Sequence, residues 1–241
     1  MMRFGFDEAA RHANGRLFAA HGDGPAEFAG MIHDSRRVRP GNLYAALPGD
    51  RVDGHDFIDA AGQAGARAAL VSRRVEATIS TIVVDDVARA MGDLARAWRS
   101  RFRARVAGIT GSNGKTTVKT LLKSILEQAG PTLATEGNYN NEIGVPLTLA
   151  ALDERHQFAV IEMGAGEPGD IAYLAGLARP ELGLVTNAGP AHLERLGSLD
   201  GVARTKGELF AALEEGQVAV INRDDRYFET WARTAVPARV V

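Results

Sequence analysis

Two hydrophobic patterns take turns along this chain. Short apolar runs alternate with stretches in which apolar residues recur at helical spacing. Val106 to Ile109 is such a run, and beyond the glycines that follow, Val118, Leu121, Leu122, Ile125 and Leu126 lie three to four apart. The exchange then repeats to the end. Strands are predicted at 106–109, 132–135, 158–162, 182–186, 217–221 and 238–241. Helices are predicted at 115–128, 145–152, 169–177, 198–213 and 224–232, with Pro146 in a first helical turn. Regular β–α alternation implies right-handed crossovers and a mainly parallel sheet with helices on both faces.

The first hundred residues carry a less regular pattern. Asp7 to Ala13 reads as a short helix capped by Asp7 and closed by Asn14-Gly15. Glu27 to Ile32 and Asn42 to Leu47 read as strands around the polar turn His33 to Gly41, whose Pro40-Gly41 ending breaks structure. A helix is expected from about His55 to Ala64 and strands at Ala68 to Val71 and Thr81 to Val84. Asp86 caps a helix to about Arg101 with Val87, Met91, Leu94 and Trp98 on one face. The expectation is an α/β chain of two parts: a small N-terminal α/β domain at 1–103, then a larger parallel-sheet domain at 104–241.

Composition narrows the function classes. At 241 residues, with 45% hydrophobic and 24% charged residues, the chain is long enough for two domains with real cores. A net charge of -2 gives no general electrostatic reason to bind nucleic acid or anionic membrane. The arginines at 96, 99, 101, 103 and 105 read as a solvated helix end, where cations suit the dipole. The absence of cysteine excludes disulfides and thiolate metal sites. There is no signal-peptide pattern and no apolar run of membrane-spanning length. A soluble cytoplasmic monomer that acts on small molecules is expected.

The chemistry concentrates at predicted strand ends, where ligands of open α/β sheets sit. Gly111-Ser112-Asn113-Gly114-Lys115-Thr116-Thr117 lies between the 106–109 strand and the helix after it. Strand, glycine turn and helix start in that order make an anion site, because free N–H groups and the helix dipole point at the ligand. Lys115 can reach terminal phosphates, and the Thr116 hydroxyl is placed to ligate Mg²⁺. The common phosphate loop has glycine five residues before Gly114; here that position is Ile109, and the glycines fall at 108, 111 and 114. Glu162 ends an apolar strand and can hold Mg²⁺ opposite the loop threonine. Asn187 and His192 follow the next strand, although a lone histidine is usually a packing or surface residue. Gly137 to Pro146, with three asparagines and two glycines, is an amide-rich loop facing the same rim or a solvated turn. Lys206, on a helix with Val202, Leu209, Phe210 and Leu213 inward, reads alone as a solvated lysine.

The runs TGSNGKTT, GNYNNEIGVPLTL, IEMGAGEPGDI, TNAGPAHLERLGS and VARTKGELF resemble, in order and spacing, the central ATPase domain of the Mur ligases. The upstream run DSRRVRPGNLYAALPGDRVDGHDFIDAAGQAGA resembles the N-terminal domain of that family, which holds the uridine nucleotide of the substrate. NNEIGVPLTL is most similar to the members that add D-alanyl-D-alanine to UDP-N-acetylmuramoyl-tripeptide. The resemblance implies an ATP-dependent amide ligase of peptidoglycan precursor synthesis, working through an acyl phosphate. It implies that Gly111, Ser112, Asn113, Gly114, Lys115, Thr116 and Thr117 hold ATP, with Asn187 near the nucleotide. It implies one Mg²⁺ shared by Thr116 and Glu162 and a second near His192. Lys206 would correspond to a lysine that many members carbamylate with CO₂, making it a metal ligand. Asn138 and Asn141 would lie near metal and substrate, and Asp34, Ser35 and Arg36 would contact uridine diphosphate.

Family members continue into a further nucleotide-contacting segment and a C-terminal domain, so the chain, ending at Val241 after an expected strand, reads as a fragment of a longer protein. Another Mur ligase, a folylpolyglutamate synthase-like ligase and a noncatalytic nucleotide- or UDP-sugar-binding module are the alternatives. The DSR-containing first part argues against the folate enzyme.

Overall fold

A computed structural model describes residues 1–20, 26–49, 52–191 and 193–241. The chain divides into two compact units, Met1–Arg101 with Leu149–Asp153, and Phe102–Thr148 with Glu154–Val241.

In the first unit β1 (Arg3–Gly5) leads into α1 (Phe6–His12), followed by β2 (Arg16–Phe18), β3 (Glu27–Ala29), β4 (Met31–Ile32) and β5 (Leu43–Ala45). Then come α2 (Ile58–Gln63), β6 (Ala68–Val71), β7 (Ser80–Val83) and α3 (Val87–Arg99). β1 pairs antiparallel with β3. The main sheet runs β2-β7-β6-β5-β4, parallel except for the antiparallel edge strand β2. Tyr44, Ala46, Ile58, Ala61, Ala69 and Val71 form a core between the sheet and α2. The inward face expected for α3 is buried at Val87, Met91, Leu94 and Trp98. Asp86 caps that helix by accepting from the Arg89 N–H at 3.0 Å.

Two expectations here need adjusting. The strand expected over 27–32 breaks into β3 and β4 at Gly30, whose N–H turns away to the Met2 carbonyl at 2.7 Å. Helix α1 starts at Phe6 behind Gly5, with no side-chain cap, so Asp7 is a first-turn acid and not the cap.

The second unit comprises β8 (Arg105–Thr110), α4 (Lys115–Leu126), β9 (Thr132–Ala134), α5 (Gly144–Ala150), β10 (Phe158–Glu162), α6 (Asp170–Ala178) and β11 (Leu182–Val185). α7 (Leu193–Leu196), α8 (Leu199–Ala211), β12 (Val218–Ile221), α9 (Phe228–Thr234) and β13 (Arg239–Val240) complete it. All pairings in its sheet, ordered β13-β12-β11-β8-β10-β9, are parallel. The α/β class is therefore as expected, and each predicted strand of this unit lies within a residue of an observed one. Helix α9 starts four residues late. The Asp225 carboxylate accepts from the N–H groups of Tyr227 and Ala188, both at 2.9 Å, and holds the preceding segment as a turn.

Register positions the site. Glu162 pairs with Ile109, and Val185 with Thr110, so β8 and its two neighbours end on one rim. The strand order reverses across β8, and the crevice at such a reversal is where open α/β sheets bind ligands.

Candidate functional site

The loop from Gly111 to Gly114 has a backbone that few residues adopt. Gly111 has φ +148° and Gly114, the residue before α4, has φ +79°. A Cβ at Gly111 would also collide with the Thr186 hydroxyl, whereas one at Gly114 would meet open space. The end of β11 braces this loop. Asn187 accepts from Ser112 N–H through its carbonyl at 3.0 Å and from Asn113 N–H through its side chain at 3.2 Å. Its side-chain amide and the Thr186 hydroxyl both donate to the Asn113 carbonyl, at 3.2 and 2.6 Å. The Ser112 hydroxyl donates to the Gly189 carbonyl at 2.8 Å and accepts from the Gly189 N–H at 2.9 Å.

Since Ser112 and Asn113 N–H groups are engaged, the donors left for an anion begin at Gly114. No acceptor among the described residues meets the N–H groups of Gly114, Lys115, Thr116 or Thr117, the usual state of a helix start. Lys115 folds back and donates from Nζ to the Gly111 carbonyl at 2.8 Å. Its cation thus lies beside the donors, on neutral acceptors that a phosphate would outcompete.

Glu162 is 2% exposed. A buried carboxylate requires hydrogen bonds and a counter-charge, and several elements supply them. The Thr116 hydroxyl donates to Oε2 at 3.0 Å, and Asn140 Nδ2 donates to Oε1 at 2.8 Å. Lys119 Nζ lies 3.3 Å from Oε2. The Glu162 N–H donates to the Thr135 hydroxyl at 2.9 Å, which fixes the strand end itself.

A cavity of about 530 Å³ opens beside this cluster, lined by Gly111, Lys115, Asn140, Asn141, Gly164, Arg195 and Lys206 among others. Lys206 is 3% exposed, which corrects the reading of it as a solvated helix lysine. It lies four residues from both Val202 and Phe210 and so shares their inward face. Burial, with a smaller contribution from the Lys115 charge, brings its amine down to about 8. Asn141 accepts from the Gly144 N–H at 2.9 Å and so fixes the start of α5. Asn138 is exposed, and its carbonyl accepts from the Asn140 N–H at 2.7 Å. His192, expected near a metal, lies outside the described residues.

The first unit has its own cavity, of about 840 Å³, lined by His33, Asp34, Ser35, Arg36, Tyr44 and Pro48 among others. The three residues expected at a uridine nucleotide thus share one wall. Asp34 accepts from Arg36 Nε and Nη2, both at 2.9 Å, and from the Arg36 N–H at 3.1 Å. That pairing holds the Asp34 carboxyl down at about 2. His33 Nδ1 is buried without a hydrogen-bond partner among the described residues, and burial lowers the ring's proton affinity.

The donor set fits Mg²⁺ at the second unit's rim. The Thr116 hydroxyl and Glu162 carboxylate are hard oxygens already 3.0 Å apart, and Mg²⁺ commonly takes one or two protein oxygens plus phosphate and water. Among the described residues no cluster of three or more His, Cys, Asp or Glu side chains could hold a metal unaided. The Lys206 ammonium is no ligand unless converted to an anion. Lys119 touches Glu162 without having been a candidate in the sequence, and Asn140 was one only as part of the amide-rich 137–146 loop. The available signal was that Lys119 sits one helical turn beyond Lys115, on the same face of α4.

Comparison with known proteins gives a consistent answer. Residues 109–240 match the family described as "Mur ligase middle domain", and residues 27–99 match "Mur ligase family, catalytic domain". The UDP-N-acetylmuramoyl-tripeptide–D-alanyl-D-alanine ligase of Escherichia coli (strain K12) is 48% identical over 198 residues, which cover 82% of this chain and 44% of that protein. A crystal structure of MurF from Acinetobacter baumannii superposes with a TM-score of 0.91 at 33% identity, covering all of this chain and 53% of that one. MurF ligase from Thermotoga maritima, in complex with ADP, gives 0.81 at 34% identity over 88% of this chain and 49% of that one. The chain spans about half the length of the relatives it matches.

Proposed function

The chain belongs to the Mur ligase family, and from that premise we propose that it serves an ATP-dependent amide ligase joining D-alanyl-D-alanine to UDP-N-acetylmuramoyl-tripeptide in peptidoglycan precursor synthesis. Residues 104–241 would bind ATP and residues 1–103 the uridine nucleotide of the substrate. The observation that carries the reading is the rim at α4. Four N–H groups that meet no acceptor among the described residues, a lysine on neutral acceptors and a Thr–Glu oxygen pair converge there. The MurF ligase of Thermotoga maritima was solved in complex with ADP, which supports nucleotide binding by this chain as well.

The chemistry asks little covalent work of the protein. A substrate carboxylate attacks the γ-phosphorus of ATP; a C–O–P bond forms, the bond to the β-phosphate oxygen breaks, and ADP leaves. The amine of D-alanyl-D-alanine then attacks the acyl carbon, a C–N bond forms, phosphate departs and the nitrogen loses a proton. Charge builds on phosphoryl oxygens in the first step, so fixed donors and cations lower its barrier. The N–H groups from Gly114 to Thr117 hold the phosphates, and Lys115 shifts from the Gly111 carbonyl to the phosphoryl oxygens. Thr116 and Glu162 would hold Mg²⁺, which supplies further charge neutralisation when bound. Asn187 keeps the loop in its binding form.

Lys206 fits the carbamate role. Carbamylation needs a neutral amine, and burial favours that form. A carbamate there would turn a buried cation into an oxygen ligand beside Lys115, and a second Mg²⁺ held with His192 would complete the set. Asp34, Ser35 and Arg36 would meet the uridine diphosphate, and Asn138 and Asn141 would border the substrate.

The test is phosphate release from Mg-ATP with UDP-N-acetylmuramoyl-tripeptide, with and without D-alanyl-D-alanine, in added bicarbonate. Release that requires both substrates is expected of the protein that carries these residues. ATP hydrolysis indifferent to either substrate, or no binding of the UDP-tripeptide, would overturn the reading.

A further inference from the structure

We propose that Lys119 is the exchangeable counter-cation of Glu162, a positioning residue that holds this carboxylate oriented and charge-compensated when no metal is bound and sets how tightly a divalent cation replaces it. This rests on the reading of Glu162 as the Mg²⁺ ligand.

Lys119 and Glu162 are 6% and 2% exposed, and the Lys119 ammonium is 3.3 Å from Oε2. Oε2 is also the oxygen that accepts from the Thr116 hydroxyl, and it therefore faces the position a metal would take. The other oxygen, Oε1, is occupied by Asn140 at 2.8 Å. A metal arriving opposite Thr116 therefore meets a carboxylate whose orientation is fixed and whose metal-facing oxygen already carries a cation. Two cations held on one oxygen of a buried carboxylate repel each other strongly. The chain provides Lys119 with an alternative acceptor, the Gly137 carbonyl, 3.4 Å from Nζ. That carbonyl lies in the turn leading to Asn140, so the two residues that hold Glu162 are anchored at one place.

The lysine has two consequences. It keeps a buried carboxylate from being left without a counter-charge when no metal is present, a strongly destabilising state. It also weakens binding of the bare ion, so that a metal arriving with its nucleotide, whose phosphates supply further ligands, is favoured over free Mg²⁺.

The test compares the 241-residue chain with K119Q and K119R, using calorimetric titration with MgCl₂ at fixed ADP and thermal melts in EDTA. K119Q is expected to melt lower in EDTA and to bind Mg²⁺ more tightly, on the order of tenfold, while K119R keeps the parent affinity. A lower melting temperature with unchanged or weaker Mg²⁺ affinity in K119Q would reduce Lys119 to a packing role and overturn the proposal. If K119Q does not fold, the unaltered chain decides by ¹⁵N NMR of its lysine ammonium groups, with Lys119 assigned by its loss in K119R. A slowly exchanging Lys119 signal that is lost as Mg²⁺ is added is expected; a signal insensitive to Mg²⁺ contradicts the proposal. Absence of any Mg²⁺ binding by the unaltered chain would remove the metal reading of Glu162 itself, an outcome distinct from either.

Discussion

The Thr116 hydroxyl donates to Glu162 Oε2 at 3.0 Å, joining the first turn of α4 to the end of β10 across 46 positions of sequence. The parallel register of β8 and β10 brings the two elements to one rim, and the buried carboxylate fixes the direction of the hydroxyl. Thr116→Val keeps the shape and removes the oxygen. The change also takes one hydrogen bond from the buried Glu162 carboxylate, so stability should fall by about 1–3 kcal/mol. Mg²⁺-dependent ADP affinity should fall roughly tenfold or more, and Thr116→Ser should restore it. Calorimetry of the three proteins checks this; equal affinities would detach Thr116 from the metal.

The two loop glycines should differ under the same substitution. Gly114→Ala places a Cβ in open space and carries only the strain of a left-handed backbone, about 1–2 kcal/mol. Gly111→Ala adds a collision with Thr186 Oγ1, whose hydroxyl holds the Asn113 carbonyl, and overpacking of that kind costs about 1–3 kcal/mol more. Urea unfolding should therefore rank Gly111→Ala well below Gly114→Ala. The reverse order would mean that the loop relaxes away from Thr186.

Much of this site could be read from the sequence, for definite reasons. The glycine spacing before Lys115-Thr116 marks the turn between strand and helix where the candidate phosphate donors lie, and a carboxylate closing an apolar run falls at a strand end whatever the strand order. Lys206 was misread because its charge outweighed its spacing, although four residues from Val202 and Phe210 is an inward position. Asn140 could not be separated from Asn138 and Asn141, since which of them meets Glu162 depends on the path of the turn. Strands β1 and β2, of three residues, and helix α7, of four, are too short to show a period. The late start of α9 depends on Asp225 accepting from Ala188 N–H, a contact 37 residues away that no local pattern contains.

That contact makes Asp225 a remote support of the Gly111–Gly114 loop. It holds Ala188, which lies between Asn187 and Gly189, the residues that brace Asn113 and Ser112. Asp225→Ala leaves two N–H groups without their acceptor and should cost about 1–3 kcal/mol. ADP affinity should fall as well, by a factor of a few, although Asp225 touches none of the loop's free donors. A loss of stability with unchanged ADP affinity would mean that the brace and the loop are independent.

Lys206 gives stability a pH dependence of definite sign. Its folded-state pKa is about 8 against an ordinary 10.5, so between these values the unfolded chain holds a proton that the folded chain has released. Stability from this group therefore rises with pH across that window and is flat on either side. Lys206→Met removes the buried cation, so the variant should exceed the parent in stability at about pH 7, with the gap narrowing towards about pH 10. Urea midpoints in CO₂-free buffer check this. A gap that is constant with pH would contradict the burial of a titrating amine.

Under the proposed function, the rim formed by Gly114–Thr117 and Glu162 holds a nucleotide's phosphates with a metal. Crystals grown with ADP and Mn²⁺, measured at the manganese absorption edge, test it most directly. An anomalous peak bonded to Thr116 Oγ1 and Glu162 Oε2 is expected, with the β-phosphate on the N–H groups of Gly114 to Thr117. A nucleotide bound elsewhere, or a metal that leaves Glu162 untouched, would contradict it.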